Sequence, residues 1–161
     1  MAKKHLQTCP IAAFLNIFGD AWTLLLLREA FYGATRFAEF RQNTGIARNI
    51  LSDRLDLLLE AGILERVDIG ERGTRYEYRL TERGQSLLPV FIAVSQWGNE
   101  HLYAKGQHPI ELCDRSTGRE LEGLTLRRRD GASIKLRDIT VRAGPGASGA
   151  ARKRIASIPQ G

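Results

Sequence analysis

The chain has 161 residues, 43% of them apolar and 26% charged, and carries a formal charge of +6. That is room for one domain with a proper core, or for a compact domain with an accessory segment. The longest early apolar run, Leu24-Leu25-Leu26-Leu27, is closed by Arg28 and Glu29, so neither a membrane span nor a signal peptide is supported. Cys9 and Cys113 make no disulfide framework, and a cytoplasmic protein is expected. The charge is unevenly placed. Residues 1–104 carry 12 Lys+Arg and 12 Asp+Glu, whereas residues 105–161 carry 12 and 6 and supply the whole excess. A polyanionic partner is favoured by that asymmetry.

A short basic arm, Lys3-Lys4-His5, leads to Cys9-Pro10, and proline suits the first turn of a helix over residues 11–18. Gly19 ends that helix, and Asp20 is placed to cap the next, over residues 21–31. Trp22, Leu24 to Leu27, Ala30 and Phe31 make this second helix apolar nearly all round, so it has to be covered on more than one side. A short helix over 35–43 follows, then Gly45-Ile46, then a helix over 48–61. Its positions Ile50, Leu51, Leu55, Leu58 and Leu59 recur three and four apart, and Gly62 stops it. The period then changes. Residues 63–67 and 75–80 alternate as strands around a charged loop containing Gly70 and Gly73.

Helix, tight turn, helix and hairpin form the layout of a winged helix-turn-helix, in which the second helix of the pair enters the DNA major groove. The first turns of that helix offer Ala47, Arg48, Asn49, Ser52 and Asp53 to base edges. Arg48 suits guanine and Asn49 suits adenine, each such pair discriminating by roughly 1–3 kcal/mol. Arg36, Arg54, Arg72, Thr74 and Arg75 are the expected backbone contacts. The same periodicity also describes an ordinary amphipathic helix with a solvated face; the adjoining wing favours DNA.

Thr81 is positioned to cap a further helix, within which Pro89 is expected to kink or restart the helix near residues 86–88. Phe91, Val94, Trp97 and Leu102 trace its apolar stripe, and with Phe14 and Phe18 they are the expected dimer contacts. Residues 106–143 contain short strand-like runs, Ile110-Glu111-Leu112-Cys113, Leu124-Thr125-Leu126, Ile134-Lys135-Leu136 and Ile139-Thr140-Val141, separated by turn signals. They predict a small β-rich appendage. Residues 144–161 predict a flexible tail with the basic cluster Arg152-Lys153-Arg154. The whole reads as an α+β chain: a DNA-binding and dimerisation domain over 1–105, the appendage, and the tail.

The residues Cys9-Pro10, Phe18 through Arg28, Arg36-Phe37-Ala38-Glu39-Phe40, Gly45 through Leu55, Leu58 through Arg66, Tyr76 through Leu87 and Trp97-Gly98 resemble the HxlR-type winged helix-turn-helix regulators, relatives of the MarR-like regulators. The resemblance covers about 95 residues. It implies a homodimer joined by its first and last helices, base reading by the helix that starts near Ala47, and phosphate contacts from the wing. Ala21 departs from the lysine frequent there, and Ser116 stands where a paired cysteine would follow Cys113. Cys9, Cys113, His101 and His108 lack metal-ligand spacing, so no metal or cofactor is expected. Nor is there a nucleophile elbow, a phosphate loop or a dinucleotide fingerprint, and no enzyme is expected.

Cys9 lies where free helix amides favour a thiolate, and several regulators of the resembled family sense oxidants or electrophiles through such a cysteine. Cys9 is therefore a candidate sensor, with a small buried hydrophobe as the competing reading. The leading functional expectation is a homodimeric, double-stranded-DNA-binding transcriptional repressor. A regulator with a small-molecule effector among Trp22, Phe31, Phe91 and Trp97, and a winged protein-interaction module without DNA binding, are the alternatives.

Overall fold

A computed structural model describes residues 5–70 and 75–158. Helix α1 (Pro10–Phe18) opens on Pro10, and α2 (Thr23–Phe31) follows across Gly19. Asp20 holds the entry to α2: its carboxylate accepts from the Trp22 amide at 2.8 Å, from the Thr23 amide at 3.0 Å and from the Thr23 hydroxyl. Asp20 bonds the amides ahead of α2, but the N-cap position falls on Trp22, because α2 starts two residues later than the sequence predicts. Helix α3 (Phe37–Thr44) is anchored by Glu39, which accepts from the amides of Thr35 and Arg36 at 2.8 and 2.9 Å. Gly45, with φ of 69°, turns the chain into α4 (Arg48–Glu60). Gly62, with φ of 65°, ends the pair; few side chains tolerate that conformation.

The wing is β1 (Leu64–Asp68) against β2 (Tyr76–Leu80), antiparallel, with Leu64 opposite Leu80 and Asp68 opposite Tyr76. Its base is tied to the helices twice. The Tyr78 amide donates to the Thr35 carbonyl at 2.7 Å, and the Thr81 hydroxyl donates to the Gly62 carbonyl at 2.6 Å. The core beneath is built from Leu26, Leu27, Phe40, Ile46, Leu51, Leu55, Leu58 and Leu64, each almost wholly buried. Glu29 is buried among them but satisfied: Arg28 and the Asn43 amide both donate to it, which locks α2 to α3.

Helix α5 (Glu82–Gln85) is short, and α6 (Leu88–His101) restarts with Pro89 in its first turn, as the proline requires. The predicted dimer stripe divides here. Phe18 is 6% exposed and Phe91 7%, so both belong to the chain's own packing; Phe91 sits 5.2 Å from the Phe31 ring. Phe14 stacks on Phe18 at 4.5 Å and is partly buried against the same core. Val94, Trp97 and Leu102 face outward. Ile11, Leu15, Leu88 and Val90 join them, and helical spacing alone does not single these out.

Beyond α6 the expected strands are corrected. Residues 107–141 form two tight turns closed by single bridges, Cys113 to Glu120 and Arg127 to Ser133, and a 3-10 turn at Leu136–Asp138. The first turn is organised by Asp114, whose carboxylate accepts from the hydroxyls and amides of Ser116 and Thr117. The Ser116 and Thr117 hydroxyls hold its pKa down at about 2. Here the short runs of β-formers make single bridges and isolated backbone bonds, such as Leu121 amide to Leu112 carbonyl and Ile134 amide to Leu126 carbonyl, and do not extend into a ladder. The tail is corrected too: Ser148 caps a helix α7 (Gly149–Ala156), accepting from the Ala151 amide at 3.2 Å.

Candidate nucleic-acid interface

Helix α4 separates its faces cleanly. Leu51, Leu55 and Leu58 point into the core, while Ala47, Arg48, Asn49, Ser52 and Asp53 are all exposed. Arg48, Asn49 and Ser52 line a concavity of about 550 Å³ whose remaining wall is Phe37 from α3. The Arg48 guanidinium lies 6.0 Å above the Phe37 ring, a cation–π contact that supports the arginine without using its hydrogen-bond donors. The sequence does not mark Phe37 as part of this surface. It sits one turn before the core residue Phe40, so the α3 repeat assigns it to packing, and it is in fact only partly buried. Arginine and amide donors around an open hollow at the head of a helix are what base edges require.

The predicted backbone contacts scatter. Arg36 is exposed at the start of α3, 4.0 Å from Glu77 across to the wing. Arg75 is exposed at the loop end of the wing, its carbonyl accepting from the Ile69 amide. Arg72 and Thr74 lie outside the described residues. Arg54 departs from expectation: its Nε lies 3.2 Å from Asp20, and its side chain is turned toward the head of α2. Burial acts to raise the Asp20 pKa, yet the Thr23 hydroxyl, the Trp22 and Thr23 amides and Arg54 together hold it below the ordinary carboxylate value. Along the wing, Arg66 stacks on Tyr76 at 4.4 Å and Arg79 pairs with Glu77 at 2.8 Å.

Cys9 precedes α1 and is partly exposed. The amides of Ala12 and Ile11 lower its thiol pKa, and Arg154 of α7 lowers it further. Residues His5, Leu6, Gln7 and Thr8 meet Ser148, Ala150, Ala151 and Arg154 around a second cavity of about 690 Å³ beside it. Arg154 is a neighbour that a flexible tail could not supply; Ser148 followed by Ala150 and Ala151 is the signal for it in the sequence. The aromatic residues expected around an effector are dispersed instead. Phe31 and Phe91 fill each other's space, Trp22 packs on the core, and Trp97 is 57% exposed against His101.

Residues 17–106 match the family model described as HxlR-like helix-turn-helix. An uncharacterised HTH-type transcriptional regulator of Mycobacterium tuberculosis (strain H37Rv) is 39% identical over 132 residues, 82% of this chain and 84% of its own. The solved chain of PA1607, a candidate transcription factor, has a TM-score of 0.80 at 37% identity, over 86% of this chain and 97% of its own. The redox regulator HypR in its reduced form has a TM-score of 0.54 at 30% identity, over 58% of this chain and 96% of its own.

Proposed function

The chain belongs to the HxlR-like helix-turn-helix family, and we propose that it is a homodimeric, sequence-specific repressor that acts by occluding promoter DNA. The observation that carries this reading is the α4 surface. Arg48, Asn49 and Ser52 stand free around an open hollow while the leucines of the same helix hold it to the core. With α4 in the major groove, Arg48 and Asn49 read bases, and Arg36 and Arg75 contact the flanking phosphates. Outward Val94 and Trp97 on α6 and Leu102 just after it, with Ile11 and Leu15 on α1, supply the apolar surface for a twofold contact. Such a contact places two copies of α4 on half-sites roughly 34–36 Å apart.

The test is a mobility-shift titration against the chain's own upstream DNA and a scrambled duplex, across a salt series. A specific regulator exceeds its non-specific affinity by about 10³–10⁷-fold. Equal affinity for both duplexes at every salt concentration overturns the reading in favour of a protein-interaction module.

One observation favours a thiol-responsive version of this function. Cys9 has a lowered pKa and remains accessible, so at neutral pH its thiolate is more populated than that of an ordinary cysteine. HypR, which this chain resembles over its body, has been solved in reduced and oxidised forms. Operator affinity of the wild type and of Cys9→Ser, each with and without diamide, separates the versions. Identical responses of the two proteins end the sensor idea and leave the DNA-binding reading in place.

A further inference from the structure

An 18.0 kDa folded monomer exposes about 8,000 Å² of surface, whereas this chain exposes 12660 Å². A standard dimer contact removes only about 800 Å² from each partner, which the outward side chains of α1 and α6 can supply. The excess, about 4,600 Å² against the monomer expectation, is several times larger than such a contact, which leaves surface open beyond those two helices.

Residues 107–141 are open along their whole length. No residue among them is buried. Leu121, Leu124, Leu126, Ile139 and Val141 all lie open, and Leu136 is 86% exposed. Yet the segment is folded, with its turns set by Asp114 and by Asp130, which accepts from the Ala132 amide at 3.0 Å. It is also fixed in place. The Gln96 side chain donates to the Glu122 carbonyl at 3.1 Å and accepts from the Leu124 amide at 2.9 Å. Asn99 donates to the Ile110 carbonyl at 2.8 Å. These two residues of α6 flank the outward Trp97, so the segment continues the surface assigned to dimerisation.

Its charge identifies the occupant. Residues 107–141 carry seven Lys+Arg and six Asp+Glu. The basic excess of the C-terminal part lies instead at Lys105, Arg142 and in α7. A balanced, leucine-rich surface offers little to phosphates. It suits a second copy of itself, because a twofold contact brings like surfaces together and a strongly charged one repels its mate.

We propose that residues 107–141 are an intersubunit arm: anchored to α6 of their own chain, they cover their apolar side chains on the body of a second copy. The proposal rests on the homodimer reading, and the two are separable. The full chain is followed by sedimentation and by hydrogen exchange over a range of concentrations. Protection of amides within residues 121–141 is expected to rise with the dimer fraction. Dimer made from equal parts of unlabelled and ¹⁵N-labelled protein is expected to give mixed-isotope lysine cross-links from Lys135. The variant Leu126→Asp/Ile139→Asp, whose side chains lie outside the core, is expected to weaken dimerisation by about tenfold or more. A stable dimer in which these amides exchange freely and Lys135 links only within its own chain overturns the arm and spares the homodimer. A monomer at all concentrations overturns both. Protection that appears only on adding duplex DNA assigns the segment to nucleic acid and also overturns the arm.

Discussion

Arg48 and Arg54 lie on one helix and meet different surroundings. Arg48 is exposed beside Phe37, whereas Arg54 is turned inward to Asp20. The Arg54 Nε is buried and its contact with Asp20 is ionic, without the geometry of a hydrogen bond. Arg48→Ala is expected to lose about 1–3 kcal/mol of discrimination between operator and scrambled duplex, with the melting temperature unchanged. Arg54→Ala is expected to do the reverse, losing about 1–2 kcal/mol of stability while keeping the preference. Calorimetry paired with binding titrations checks both, and a specificity loss in the Arg54 variant would return that side chain to the DNA surface. Asp20 adds a pH dependence. Because its folded pKa is lowered, its contribution is present above the unfolded value, about 3.9, and is lost as pH falls through the lower folded one. Asp20→Asn is thus expected to flatten the acid limb of the stability curve, read as melting temperature between neutral pH and about pH 3. At this scale the polar face of α4 is legible in the sequence because the leucine repeat fixes which side is left over. The inward turn of Phe18 and Phe91 is not legible for a related reason: an apolar stripe has the same period whether it meets its own core or a partner's.

Two short elements carry more than their length indicates. In α5, a Cβ at Gly84 would stand 2.2 Å from the Ile63 carbonyl oxygen, which is backbone and has no room to yield. Gly84→Ala is expected to push α5 away from the base of β1 and to cost about 1–3 kcal/mol, measured by denaturant unfolding; an unchanged midpoint would show that the wing base accommodates the shift. In α7, Arg154 lies where it favours the Cys9 thiolate. Arg154→Ala is expected to move the pH profile of Cys9 alkylation by iodoacetamide upward, toward that of an ordinary thiol. The amides of Ala12 and Ile11 keep part of the effect, so the shift is partial. An unmoved profile would leave the helix amides as the whole cause. The contrast in legibility between these elements and the body is physical. Helices α1 to α4 and both strands are readable because their apolar residues recur at a helical or an alternating spacing, and turn residues such as Pro10, Gly19, Gly45 and Gly62 mark several of their ends. The appendage has β-forming residues that meet only in single bridges, and β preference reflects fit to a neighbouring strand more than any property of the segment. The sequence before and within α7 has tail-like composition, rich in Gly, Ala and Ser, yet Ser148 in the cap position and two alanines behind it suffice for two turns.

For the molecule as a whole, the separation of charge from the reading surface has a consequence for binding in salt. The body is neutral in sum over residues 1–104, so its grip on DNA depends on where Arg36, Arg48 and Arg75 stand and not on net charge. The nearly balanced arm contributes Arg127, Arg128 and Arg129 among acidic neighbours, with Arg128 already 3.7 Å from Asp138. With α4 and the wing alone holding the duplex, each phosphate they neutralise adds about 0.9 to the steepness of log K against log salt. Arg75→Gln frees one phosphate in each half of a dimer, so the slope is expected to become shallower by about 1.8, with affinity falling evenly on operator and scrambled DNA. Replacing Arg127, Arg128 and Arg129 together by glutamine is expected to leave that slope within error of the wild type. A slope that shallows on the triple replacement, with Arg75→Gln silent, would transfer the phosphate contacts from the wing to the arm, and would move the DNA across the molecule with them.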